Sequence, residues 1–208
     1  AVNADDSDVI VFLHGLNGSH NSWADQHDAF IGAIAAGRGG KSPTVISLSF
    51  GSTWLLTDLP RDPQPSLYNI LLSSALPAVE AKLASPVTRR MLIGESMGGF
   101  NSTQILVRNP GLFERVALLC PAISTLSPFS TNQEIGAYIA AHPEVDPVRV
   151  QQAVGIARLT FPNPQTYASH NPLELVNSLS AASPRLFVSG NSLDQFGFYE
   201  GTLSFVQT

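Results

Sequence analysis

Cysteine is nearly absent from this sequence. Cys120 stands alone, which excludes an intrachain disulfide. It ends the apolar run Val116-Ala117-Leu118-Leu119, so its thiol is expected to be buried and structural. Lysine is almost as scarce: only Lys41 and Lys82 stand among the 11 basic residues. No basic run or patch forms, so nucleic acid is not an expected partner. No apolar run approaches the roughly 20 residues that cross a bilayer. His14, His20 and His27 match no zinc spacing, and there is no HExxH motif or cysteine pair, so neither a metal nor a cofactor is expected. Charged residues make up only 13% against 44% hydrophobic, which excludes disorder and leaves a surface rich in Ser, Thr, Asn and Gln. The 208 residues suit a single domain with a full core. The net charge of −5 bears on solubility alone. Low lysine and the polar uncharged surface lean towards a secreted or periplasmic location.

What is present is a run of strands alternating with helices. Ala1 to Asp8 are small and acidic and predict a solvated arm. Val9-Ile10-Val11-Phe12-Leu13 is continuously apolar and β-branched, which suits a strand buried on both faces of a parallel sheet. A glycine-bearing loop, His14 to Ser19, follows it. Ser22 reads as the N-cap of a helix reaching Ala36, and Thr44 to Ser49 as the next strand. Gly51 to Ser66 is a polar loop with prolines at 60, 63 and 65. A helix from about Leu67 to Leu83 carries Pro77, which predicts a kink. Arg90 to Ile93 reads as a strand, Gly99 to Arg108 as a helix and Arg115 to Leu119 as a fourth strand. From Pro121 to Ala182 no strand is evident. Helical stretches at Asn132–Ala140, Pro147–Leu159 and Leu173–Leu179 suggest a lid-like insertion over the strand C-termini. Arg185 to Ser189 predicts the last strand, and Gln195 onward a final helix. The alternation implies one α/β domain, a mostly parallel sheet with helices on both faces.

The chemistry concentrates in Gly94-Glu95-Ser96-Met97-Gly98. A G-x-S-x-G sequence between a strand and a helix holds its serine in a strained turn, hydroxyl clear of the sheet. Serine needs a base for its proton and donors for the oxyanion that forms. The backbone N–H of Met97 and that of Leu16, in the loop after the first strand, are the candidate donors. Gly15 lets that loop pass close to the site. His14, at a strand end beside a glycine, orders the loop rather than acting as base. Asp194 follows the last strand and comes after the serine in the chain, as an acid that orients an imidazole would. The alternative is an N-cap for the Gln195 helix. No histidine follows Asp194, and the other four precede it with His14: His20, His27, His142 and His170. His170 in the insertion suits a lid role or a substrate contact. Trp54, Leu55 and Leu56 are candidates to line an apolar pocket, although packing of a surface loop explains them equally well.

The loop His14-Gly15-Leu16-Asn17-Gly18-Ser19-His20-Asn21-Ser22-Trp23, taken with Gly94-Glu95-Ser96-Met97-Gly98-Gly99-Phe100, resembles the esterase D / tributyrin esterase family. That family includes feruloyl and acetyl-xylan esterases, S-formylglutathione hydrolase and the antigen 85 mycolyltransferases. The resemblance runs from Val9 to about Tyr199. It implies an α/β-hydrolase fold, with Ser96 as nucleophile, Leu16 and Met97 as the oxyanion hole, and Asp194 as acid. It places Asn171-Pro172 in a loop beside the pocket; His14, Gly15, Trp54 and His170 are, on their positions in the chain, the candidate substrate-binding residues. Family members carry two strands before the His-Gly strand and a histidine beyond the acid. The expectation is therefore a chain short at both ends. The activity implied is hydrolysis of a small or medium acyl ester through an acyl-enzyme. Acyl transfer to a sugar or lipid alcohol, and a scaffold without the triad histidine, remain as alternatives.

Overall fold

The computed structural model describes residues 7–26, 28–37, 39–59, 62, 65–179 and 184–208. Five strands form one sheet: β1 Asp8–Leu13, β2 Thr44–Leu48, β3 Arg89–Glu95, β4 Arg115–Leu119 and β5 Arg185–Ser189. Their order is β2-β1-β3-β4-β5, and every pairing is parallel. All six residues of β1 are buried, as its unbroken apolar sequence requires of a strand covered on both faces. Asp8 is the exception in chemistry. The solvated arm was expected to include it, yet it opens β1 and is buried. The Arg89 guanidinium, at the start of the neighbouring strand, binds both its oxygens and offsets the desolvation. The rest of that arm, residues 1–6, lies outside the described residues.

The helices are α1 Ser22–Gln26, α2 Asp28–Ala36, α3 Leu67–Ile70, α4 Leu76–Glu80, α5 Met97–Arg108, α6 Asn132–Ala141, α7 Pro147–Thr160, α8 Pro164–Ala168, α9 Pro172–Leu175 and α10 Tyr199–Gln207. Ser22 is not the N-cap of α1. Asn21 takes that place, its carbonyl receiving Asp25 N–H, while Ser22 Oγ accepts from Ser19 N–H at 2.9 Å. Between α3 and α4 runs a π turn, Leu71–Ala75. Pro77 lacks an N–H and crowds the preceding turn, and the widened turn is how the helix accommodates it. The insertion between β4 and β5 holds α6 to α9. Capping boxes at Thr131–Glu134 and Asn163–Thr166 start α6 and α8, and Asp146 and Asn171 cap α7 and α9.

The chain leaves β1 towards β2 on one side, while β3 leads to β4 on the other. The loops after β1 and β3 therefore part from each other, and such a switch point opens a crevice at the strand C-termini. The segment between β2 and α3, a polar loop by its sequence, turns part of its length into the interior. Trp54, Leu56, Thr57, Leu59 and Ser66 in it are buried.

Candidate active site

Ser96 is the first residue after β3 and stands at the head of α5 with φ +50° and ψ −112°. Positive φ is costly for a residue with a Cβ, so the surroundings must impose it. They do so by close approach of backbone. A Cβ on Gly98 would overlap the Leu13 carbonyl oxygen, and one on Gly94 would overlap Ser102 Oγ and the Gly98 carbonyl. The turn is further tied by Ser96 N–H to the Leu119 carbonyl at 2.9 Å, and the Ser96 carbonyl accepts from Ala122 and Phe100. Ser96 makes no side-chain capping bond to α5, which leaves its hydroxyl for the cavity above.

The loop after β1 closes on the serine from one side. The position of a Cβ on Gly15 lies 3.4 Å from Ser96 Cβ. Asn17 adopts φ +62° and its N–H binds the Ser52 carbonyl at 2.8 Å, while Gly18 N–H returns to the Gly15 carbonyl at 3.1 Å. Between them, Leu16 N–H has no hydrogen-bond partner among the described residues. Met97 N–H, the first of α5, lies where a helix has no internal acceptor to offer. Leu16, Met97 and Ser96 line one cavity.

His14 orders this loop, as its position suggested, and does not line the cavity. It is fully buried. Its Nε2 accepts from Trp54 Nε1–H at 3.1 Å, which fixes the proton on Nδ1, and Nδ1 donates to the Gly15 carbonyl at 2.7 Å. Ser49 Oγ lies 2.8 Å from the same Nε2. Trp54 is buried against this ring, 5.7 Å between centroids, and does not line the cavity; its neighbour Leu55 does. Asn101 of α5, which the sequence reading passed over, holds the Trp54 loop. Its Oδ1 accepts from Leu56 N–H at 2.7 Å and its Nδ2 donates to the Trp54 carbonyl at 3.2 Å. Met97 Sδ receives Trp54 N–H at 3.3 Å.

His170 does not line the cavity either. It is 4% exposed, with Nδ1 donating to the Thr166 carbonyl at 2.9 Å and its own carbonyl receiving Gln104 Nε2–H at 2.6 Å. Burial pushes its pKa below the usual value, and Arg108 adds to that. It is a packing residue under the insertion. His20 is exposed, and His142 caps α6 beside Glu200; neither lines the cavity. His27 lies outside the described residues.

Asp194 sits in the loop between β5 and α10. Its carboxylate accepts from Phe196 N–H at 3.1 Å and from Phe198 N–H at 2.5 Å, one bond to each oxygen. These bonds hold the chain in a turn, so α10 starts at Tyr199 and not at Gln195. The carboxylate borders a small cleft with Cys120, Gly190 and Thr202. Cys120, expected to be buried, is exposed. Its φ of +43° ends β4 and turns the residue out of the strand. Partial desolvation and the nearby Asp194 and Glu95 carboxylates raise its pKa, which keeps it a thiol.

The cavity beside Ser96 holds about 100 Å³. Its walls come from α5, from α6 to α8 of the insertion, and from Phe196 and Phe198. They are overwhelmingly apolar. Tyr167 in the wall has its pKa pushed up to about 12 by burial and stays neutral. Among the described residues no cluster of metal ligands occurs, and no helix is long and apolar enough to cross a membrane.

A family profile described as "Putative esterase" matches residues 3–189. No curated protein matches the chain. Solved structures with a similar fold include an esterase from the bacterial hormone-sensitive lipase family, at 20% identity and TM-score 0.62, covering all of this chain and 64% of that one. MPT51 of Mycobacterium tuberculosis matches at 15% identity and TM-score 0.56, over 97% of this chain and 73% of its own. An S-formylglutathione hydrolase from Agrobacterium tumefaciens matches at 17% and 0.56, over 94% and 69%.

Proposed function

Because the chain belongs to that esterase family, a family of carboxylesterase-type hydrolases with the α/β-hydrolase fold, we propose that it hydrolyses esters of small or medium acyl groups through Ser96. The observation that carries this is the strained Ser96 facing an apolar cavity with the Leu16 and Met97 N–H groups beside it. In this reading Ser96 Oγ forms a bond to the ester carbonyl carbon while its proton passes to an imidazole base, one that none of the described histidines supplies. The carbonyl oxygen becomes an oxyanion received by the two N–H groups. The C–O bond to the alcohol then breaks, and the alcohol leaves with the proton. Water, deprotonated by the same base, next breaks the Oγ–acyl bond and releases the acid. Asp194 is the group that orients the imidazole: each of its oxygens keeps an acceptor site beyond its one backbone bond. His14, His142 and His170 are engaged elsewhere and His20 is exposed; none of the four lines the cavity, and none is the base in this reading. A secreted or periplasmic location is part of the proposal, supported by the lysine-poor composition.

The test is p-nitrophenyl butanoate hydrolysis together with fluorophosphonate labelling and mass spectrometry. Wild-type protein is expected to hydrolyse the ester and carry one adduct, on Ser96, and Ser96→Ala to lose both. Unchanged hydrolysis in Ser96→Ala overturns the reading.

A further inference from the structure

We propose that the cavity beside Ser96 is an acyl-chain pocket sized for butanoyl to hexanoyl groups, its depth set by Ala153 and Ala157 of α7 and its rim by the stacked Phe196–Phe198 pair. This rests on Ser96 as the acyl acceptor. In such a reaction the alcohol departs first and the acyl group stays attached until water arrives. The walled apolar space that begins at Ser96 therefore suits the acyl chain, and the open side the alcohol.

The space is about 100 Å³, whereas a cavity of about 150 Å³ admits benzene. A linear chain of roughly four to six carbons is the corresponding occupant. Ala153 and Ala157 are one helical turn apart on one face, and both line the cavity. Each side chain ends at Cβ, so a larger residue at either place enters the space. Ala157 also packs with Phe100 and Phe161, and Phe100 lies one turn beyond Ser96 on α5.

The rim is held from two sides. Phe196 and Phe198 stack with centroids 5.5 Å apart and rings 10° from parallel. From below, the Asp194 carboxylate takes both their N–H groups. From the insertion, the Arg149 guanidinium lies 5.2 Å from the Phe196 ring centroid, and Tyr138 Oη–H donates to the Gly197 carbonyl at 2.9 Å. A Cβ on Gly197 would meet that hydroxyl at 2.7 Å, so the approach depends on glycine there. A wall fixed from both sides gives a pocket of definite length.

The experiment compares kcat/KM for p-nitrophenyl acetate, butanoate, hexanoate and decanoate in wild type, Ala157→Phe and Phe196→Ala. Each methylene that fits is worth about four-fold, from about 0.8 kcal/mol, so butanoate is expected to exceed acetate on the order of ten-fold. The wild-type optimum is expected at butanoate to hexanoate. Ala157→Phe moves it to acetate, and Phe196→Ala moves it towards decanoate. A flat wild-type profile overturns the proposal, as does an unchanged profile in an Ala157→Phe protein with an unaltered melting curve. Should Ala157→Phe not fold, the opposite shift in Phe196→Ala decides. Binding of free hexanoate by calorimetry needs no turnover. Ala157→Phe is expected to weaken it about ten-fold or more. Hexanoate binding lost in that variant, with no Ser96-dependent hydrolysis, overturns the esterase reading and keeps the pocket. Ser96-dependent hydrolysis without chain-length dependence does the reverse.

Discussion

Replacing Asn101 with leucine isolates one device on which the site depends. The change keeps nearly the same volume in a fully buried position and removes two hydrogen bonds, from Leu56 N–H at 2.7 Å and to the Trp54 carbonyl at 3.2 Å. Both backbone groups belong to buried residues. Each left unpaired costs about 1–3 kcal/mol, so the total is about 2–6 kcal/mol. With a urea slope of about 2 kcal/mol per molar, the unfolding midpoint should fall by about 1–3 M. The damage should also reach the site, because this loop carries Leu55 into the cavity wall and Trp54 onto the His14 ring. Urea titration followed by tryptophan fluorescence reads the first effect, and hexanoate ester hydrolysis the second. A midpoint within about 0.3 M of wild type would show that the loop is held by apolar burial alone and that the clamp is incidental.

The sheet is most legible in the sequence at β1, which is buried along its whole length. Val9 to Leu13 needs no pattern beyond continuous apolar, largely β-branched residues, and Met91 to Ile93 none beyond a short apolar run. The elbow is legible for a different reason: Gly94 and Gly98 each sit where a side chain would overlap backbone or a neighbouring oxygen, so the motif records a steric requirement. Element boundaries read less well. Asp8 looks like part of an acidic arm until Arg89, 81 residues later, is placed beside it. Ser22 looks like a cap, yet its hydroxyl turns back to Ser19. In both cases the partner is set by the tertiary fold or by a neighbouring turn, and local composition is silent about it.

The site is legible in its floor and illegible in its walls. Ser96, Leu16 and Met97 come from two loops that follow strands, and topology alone brings those loops together. The walls depend on which face of α6 to α8 turns towards α5. α7 is apolar on more than one side: Val150 is buried in the insertion's own core while Val148 and Leu159 are exposed, so its sequence does not declare the face carrying Ala153 and Ala157. His170 and Trp54 mislead for the same reason. Both are large polar-tipped residues in loops near the site, yet Trp54 Nε1–H goes to His14 and His170 Nδ1 to the Thr166 carbonyl, which only the placed hydrogen bonds reveal.

Two further changes probe the backbone and the insertion. Gly98→Ala should cost at least about 3 kcal/mol, because two main chains would have to separate, while Gly155→Ala, with open space at its Cβ, should gain about 0.5–1 kcal/mol; thermal melts that rank the two the other way would refute the packing argument. The histidines of the insertion should give opposite pH dependences. His142 Nε2 faces Glu200 Oε1 at 3.0 Å and its Nδ1 faces the Tyr138 carbonyl at 2.7 Å, with Glu144 nearby; two acceptors call for the doubly protonated ring, and its pKa is raised, chiefly by Glu200. Its contribution is therefore present below about pH 6.5 and lost as pH rises through the folded value, and because Glu200 is half exposed it is at most about 1 kcal/mol. His170 is the reverse case. Its Nε2 is buried without a partner, Arg108 opposes its charge, and Asp58 and Asp62 offset that only in part. Above about pH 6.5 it is neutral folded or unfolded; below that the unfolded chain takes the proton first, so stability falls by at most about 1.4 kcal/mol per pH unit. Urea titrations at pH 5 and 7.5 separate the two. His170→Gln should lessen the acid loss seen in wild type, and His142→Gln should deepen it slightly. Equal losses in all three proteins would mean that neither imidazole changes its protonation on folding, and the hydrogen-bond assignments for both rings would fall together.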